Sequence, residues 1–210
     1  MKWFRIAAEQ GLAEAFYSLG VCYAHGQGVE QNMDEAVEFY RKGAEGGYGL
    51  AQFLLGKFYE YVQKDDQQAD KWFQQAIHWF RENAEGFSEA PFYLGMAYLE
   101  GCGVNIDQAE AVKWFRQAAE QGHPLAQYNL GIAYAEGNGV DIDMQEAYTW
   151  FPRAAEQGHE HSQHIVADLE EQIARNSLAQ CREAAEQGDT EARGWPGKFG
   201  QKTAWNKLST

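Results

Sequence analysis

A chain of 210 residues that is 45% hydrophobic and 14% aromatic has the material for a packed core, which excludes a wholly disordered protein. Its 31 acidic residues against 17 basic ones, a net charge of −14, argue against a nucleic-acid surface and against docking on anionic lipid. Three scattered cysteines, Cys22, Cys102 and Cys181, form neither a disulfide framework nor a metal-ligand set, and with no run of apolar residues long enough to span a membrane the expected location is the cytoplasm.

In chain order, Met1-Lys2-Trp3-Phe4-Arg5 leads straight into polar helical sequence with no signal peptide. A first helix over 1–11 ends at Gly11. Four copies of a longer unit follow. Leu-Gly recurs at Leu19-Gly20, Leu55-Gly56, Leu94-Gly95 and Leu130-Gly131, and a tyrosine follows each glycine by one helical turn: Tyr23, Tyr59, Tyr98 and Tyr134. Each copy predicts a first helix, A, carrying this motif. Because glycine inside a helix costs about 1 kcal/mol against alanine, its recurrence at one phase predicts close approach of a neighbouring helix. Gly26-Gln27-Gly28-Val29, Gly101-Cys102-Gly103-Val104 and Gly137-Asn138-Gly139-Val140 end helix A, since glycine accepts the left-handed turn.

A second helix, B, then opens on Asp34, Asp107 or Asp143 and carries an aromatic pair among small residues, Trp114-Phe115 in the third copy. Ala-Ala-Glu-Gln-Gly closes it at Gly11, Gly122, Gly158 and Gly188. The second copy lacks the glycine turn and has Tyr61-Val62-Gln63-Lys64-Asp65-Asp66 instead. A longer helix is expected after it, adding Trp72-Phe73 ahead of Trp79-Phe80. Pro152 falls inside the fourth helix B, where it removes a backbone hydrogen bond and is expected to kink the helix. Cys22 reads as core beside Ala15 and Leu19. Cys102 reads as an exposed thiol in a glycine turn, with no basic neighbour in sequence.

The motif Ala-x-Tyr-x-Leu-Gly-x-x-Tyr-x-x-Gly-x-Gly-Val, followed by Ala-x-x-Trp-Phe and Ala-Ala-Glu-Gln-Gly, resembles the Sel-one-like repeat family, a relative of the tetratricopeptide repeat. The resemblance runs from Lys2 to about Gly188, with Ala126 to Gly158 the cleanest copy. It implies an all-α, right-handed α/α superhelical solenoid of helix-turn-helix repeats, and a scaffold or adaptor that assembles protein complexes. The division it predicts is a repeat domain over 1–193, made of an orphan helix 1–11, repeats at about 12–49, 50–88, 89–124 and 125–160, and a shortened capping repeat 161–193. A basic aromatic tail follows over 194–210, with Trp195, Phe199 and Trp205 spaced among Lys198, Lys202 and Lys207.

In solenoids of this type the inner face is built mostly from helix A. The candidate partner-binding residues of the concave groove are therefore Tyr17, Val21 and His25; Phe53, Lys57 and Glu60; Phe92, Met96 and Glu100; and Tyr128, Ile132 and Glu136. Tyr17, Phe53, Phe92 and Tyr128 form either an aromatic ladder across that groove or packing between adjacent helices. His161, His164 and Asp168 share a helix face, but a polar helix start explains them equally well, so no metal and no cofactor is assigned. No catalytic motif is present, so the chain is read as a non-enzyme that binds a protein or peptide, basic if charge complementarity governs. The alternative is an enzyme or small-molecule-binding protein with a pocket in the groove. A homodimer is expected through Trp3, Phe4 and Ile6 of the orphan helix, or through the tail.

Overall fold

The small-residue helices and their glycine stops fold into ten α-helices in a computed structural model that describes residues 1–186. They are α1 (Lys2–Glu9), α2 (Ala13–His25), α3 (Met33–Glu45), α4 (Gly49–Phe58), α5 (Asp66–Asn83), α6 (Glu89–Glu100), α7 (Gln108–Glu120), α8 (Pro124–Glu136), α9 (Met144–Glu156) and α10 (Glu160–Glu186). No strand occurs among the described residues. Of the expected capping repeat 161–193, residues 161–186 fall in the single helix α10; its remainder, with Gly188, and the tail lie outside the described residues. Each helix packs on the next in chain order, α2 on α3, α3 on α4 and so on to α10. Even-numbered helices are the A type and odd-numbered ones the B type, and together they build the expected α/α solenoid.

The repeated Leu-Gly has two jobs on one helix. Leu19, Leu55, Leu94 and Leu130 are buried at 1% exposure or less. The glycine beside each lets a ring from the following helix B lie on bare backbone. A Cβ on Gly20 would fall 2.5 Å from the Tyr40 ring, one on Gly95 2.5 Å from Phe115, and one on Gly131 2.7 Å from Phe151. Carbon atoms prefer about 3.5–4.0 Å, so the glycine is a steric requirement of the stack. In three of the four repeats the tyrosine one turn on ties helix A to the helix B before it. Arg5 donates to the Tyr23 hydroxyl at 3.4 Å, Arg81 to Tyr98 at 2.9 Å, and Arg116 to Tyr134.

The second repeat keeps this logic by a different route. Instead of a glycine turn, α4 runs into a π-helical turn over Tyr59–Gln63, closed by Lys64 at φ +56°, a left-handed conformation that costs a side-chain-bearing residue energy. The expected longer helix is α5, with 18 residues. Its Phe73 takes the ring position on Gly56, where a Cβ would lie 2.6 Å away. Two turns later Trp79-Phe80-Arg81 supplies the contacts to the next repeat. Here the π turn holds Tyr59, and the Arg41 Nε, which aligns with the paired arginines, is buried without a hydrogen-bond partner.

Several expectations are corrected. Asn32, not Asp34, caps α3: its extended backbone precedes the helix and its side chain accepts from the Glu35 N–H at 3.1 Å. Asp34 sits in the first turn, where its charge favours the helix dipole. Asp107 and Asp143 cap α7 and α9 as expected. Pro152 lies inside α9 as expected, and the helix runs on to Glu156 with Trp150, Phe151 and Ala154 buried against the core. Cys102 is buried at 2% exposure rather than exposed, because its loop folds onto α5 with Gly103 against Phe73. Cys22 is core. On α1, Trp3, Phe4 and Ile6 are exposed at 77%, 41% and 38% while Ala8 is buried against α2.

Candidate partner-binding surface

The four candidate aromatics occupy equivalent places on α2, α4, α6 and α8, but they are not an exposed ladder. Phe53 and Phe92 are buried at 5% and 8% exposure. Phe53 packs among Phe73, Phe80 and Tyr93, with ring centroids 5.1–6.0 Å apart. Phe92 packs on Phe115 and stacks on His123 at 4.4 Å. The apolar gain of closing the inter-helix seam wins over presenting a ring to solvent. Tyr17 and Tyr128 are half-buried, Tyr17 against Tyr40 and Tyr48, Tyr128 against Phe151 and His159. Val21, Met96 and Ile132 are half-buried beside this seam, and His25, Glu100 and Glu136 are exposed.

A second aromatic row, which the sequence reading missed, closes the seam. Tyr48, His123 and His159 each follow the glycine that ends a helix B, and each packs on the aromatic of the preceding helix A, with ring centroids 5.3, 4.4 and 4.6 Å apart. The signal was available, because each residue comes straight after the closing glycine. The two histidines also cap helices. His123 Nδ1 accepts from the Ala126 N–H and His159 Nδ1 from the Ser162 N–H, both at 3.3 Å. Only a neutral ring can accept in this way. No group of three or more His, Cys, Asp or Glu side chains that could hold a metal occurs among the described residues.

Burial lowers the pKa of both histidines below the ordinary 6.5, with Glu89 opposing at His123, and with His161 assisting and Glu160 opposing at His159. As pH falls, the unfolded chain therefore takes up these protons before the folded one does. Their contribution to stability is complete above the ordinary histidine value and is lost as pH falls through the lower folded values. The melting temperature is expected to hold between about pH 8 and 7 and to drop toward about pH 5. His123→Asn/His159→Asn, which keeps a capping oxygen, should flatten that slope. An equally steep slope in the variant would place the titration elsewhere.

Lys57, Glu60 and Glu100 come together although Glu100 belongs to the next repeat. Lys57 Nζ lies 3.1 Å from Glu60 Oε2 and 2.6 Å from Glu100 Oε2, and its side chain is 19% exposed. The ammonium also sits over the rings of Tyr61, Phe73 and Phe53 at 5.1, 5.5 and 5.8 Å. Burial alone would lower its pKa, but contacts with Cys102, Glu100 and Glu60 outweigh burial and hold it above the ordinary lysine value. Burial pushes the Cys102 thiol up despite Lys57 beside it, so at neutral pH it is a protonated core thiol 3.8 Å from Glu100 Oε2. The three candidate charges thus form a tie between repeats.

Stacked helix pairs notched by glycine and sealed by aromatic rows define an α/α-solenoid repeat protein. The Sel1 repeat model matches residues 1–12, 13–48, 49–78, 88–123 and 124–159, and the chain belongs to the Sel1 repeat family, whose repeats generally mediate protein–protein interaction. A Sel1 repeat protein from Oxalobacter formigenes has a similar structure, with a TM-score of 0.62 and 29% identity over 96% of this chain and 77% of that one. DAP3-binding cell death enhancer 1 of Rattus norvegicus is 32% identical over 60% of this chain and 31% of its own length. An exopolysaccharide production negative regulator of Rhizobium leguminosarum bv. viciae is 32% identical over 58% of this chain and 49% of its own length. The chain therefore spans less than half of these curated relatives. No helix among the described residues is long and apolar enough to cross a membrane.

Proposed function

We propose that this chain is a non-catalytic scaffold or adaptor that holds a partner protein or peptide in a concave groove along its helix-A face. One observation carries the reading. At equivalent places in four stacked repeats, the buried positions keep their chemistry while the accessible ones vary. Leu-Gly recurs unchanged, whereas one accessible row reads Val21, Lys57, Met96, Ile132 and the next reads His25, Tyr61, Glu100, Glu136. A constant interior with a varied face is what selective recognition on a repeat frame requires. Relatives named for binding a protein and for regulating a process support an adaptor over an enzyme.

Within this reading Tyr17, Val21, His25, Met96, Tyr128, Ile132 and Glu136 face the partner. Lys57, Glu60 and Glu100 hold the frame and present one carboxylate edge, and Phe53 and Phe92 support the floor. The net charge of −14 favours a basic partner. The apolar face of α1, with Trp3 77% exposed, is a contact for a second copy in the same proposal. The groove is tested by affinity capture from the source cell with the wild type and with Met96→Gln/Ile132→Gln. A protein retained by the first and lost by the second, with helicity unchanged, is the expected result. Equal retention by both would move the binding site off this face.

A further inference from the structure

We propose that the edge of the solenoid formed by its four A-to-B connections is a second docking surface, for a basic amphipathic segment of a partner protein. This goes beyond the groove reading. In a stack of antiparallel pairs, all these connections fall on one side. Three of the four carry a large apolar side chain in solvent, and the first leads directly into one, Met33, at the start of α3. Met33 is 57% exposed, Tyr61 61%, Val62 65%, Ile106 67% and Ile142 66%. Scattered exposed apolar residues are ordinary, but here they gather along one edge, with Ile106 and Ile142 at the same position of their repeats, Tyr61 and Val62 in the π turn and Met33 at the start of α3.

The ridge is held in place. Ile106 Cγ1 lies 3.0 Å from where a Cβ on Gly101 would sit, and Ile142 Cγ1 2.9 Å from the same point on Gly137. Each isoleucine therefore rests across the left-handed glycine that ends its helix A. Two of the connections also pack on the preceding helix B. Gly139 approaches Gln108 and Ala109 at the start of α7, and Gly103 approaches Phe73 and Gln74 of α5. The two isoleucines are thus placed before anything binds, which lowers one cost of association.

Charge selects the occupant. Exposed Glu30, Asp65, Asp107, Asp141 and Asp143 flank the apolar side chains, and Lys64 is the one basic residue in the four connections. Asp65, Asp107 and Asp143 each commit one oxygen to capping a helix, and that geometry fixes the second. Between α3 and the π turn the edge opens into a cleft of about 380 Å³. Its walls offer Val37 and Phe58 to an aliphatic stem and Asp34 and Glu38 to a cation, while its own cation, Arg41, leans on Glu38 at 3.8 Å. A lysine or arginine with apolar neighbours matches this set, and an acidic or purely apolar segment does not.

The test uses the full chain and a fluorescent synthetic peptide of about 14 residues, with leucine and lysine patterned as an amphipathic helix. Fluorescence anisotropy should show saturable binding that weakens at least tenfold with Ile106→Ser/Ile142→Ser, a change that leaves the net charge untouched. Asp141→Asn, which removes a carboxylate that caps no helix, should weaken it less. Met96→Gln/Ile132→Gln should leave it unchanged, so failure of the edge and failure of the groove read separately. Circular dichroism confirms that each variant folds. Equal binding by the isoleucine pair, or equal binding of a peptide with glutamate in place of lysine, overturns the proposal. So does a dimer, seen by light scattering without peptide, that dissociates when the two isoleucines are replaced, because a second copy is then the occupant.

Discussion

Gly95→Ala should destabilise the protein, against the helix propensity of the substitution. Alanine in place of a helical glycine gains about 1 kcal/mol. Here the new methyl would lie 2.5 Å from the Phe115 ring, which is itself 3% exposed and has nowhere to retreat. Overpacking a closed core costs about 1–3 kcal/mol, more than the propensity returns. A net loss of about 1–2 kcal/mol is expected in urea denaturation, read as a lower midpoint at unchanged slope. Phe115→Leu alone leaves a cavity and also destabilises. The double variant should lose less than the sum of the two, because the smaller side chain makes room for the methyl. A Gly95→Ala protein more stable than wild type would show that the ring moves freely, and would remove the steric reason for the repeated glycine.

Lys57→Glu should be the more damaging change. It exchanges the cation that Glu60 and Glu100 share for a third carboxylate. An exposed pair would matter by about 0–1 kcal/mol and a fully buried one by about 3–5. With the lysine 19% exposed and the two carboxylates about a third exposed, a loss of about 2–3 kcal/mol lies between those limits. Lys57→Met, which keeps the stem, should lose about 1–2 kcal/mol. Adding Glu100→Gln to it should recover part of that loss by relieving the facing charges. If Lys57→Glu unfolds within about 0.5 kcal/mol of wild type, the lysine is a free surface charge and returns to the list of partner-facing residues.

What was legible in the sequence was what the repeat itself encodes. A glycine at one phase of four helices has a cost that only a neighbouring ring could explain, and the rings of Tyr40, Phe73, Phe115 and Phe151 are there. The left-handed caps at Gly26, Gly101 and Gly137 follow from glycine's freedom at positive φ. What was not legible depends on contacts between repeats. Nothing near Cys102 in sequence announces Lys57, which arrives from the repeat before. Phe53 and Phe92 fit a groove and a seam equally well as residue types, and only packing chose the seam. The π turn after Phe58 replaces a glycine loop with residues that carry no local signal for it, and Lys64 adopts the left-handed turn without being glycine.

That irregular second repeat has a consequence for recognition. A run of identical modules is a ruler without numerals, on which an elongated ligand can settle at several offsets of equal energy. The π turn, Lys64 and the two added turns of α5 occur once among the described repeats. They give the ruler an origin. A ligand that meets them has one offset at which its contacts match, and every shift by a whole module brings it against a different outline.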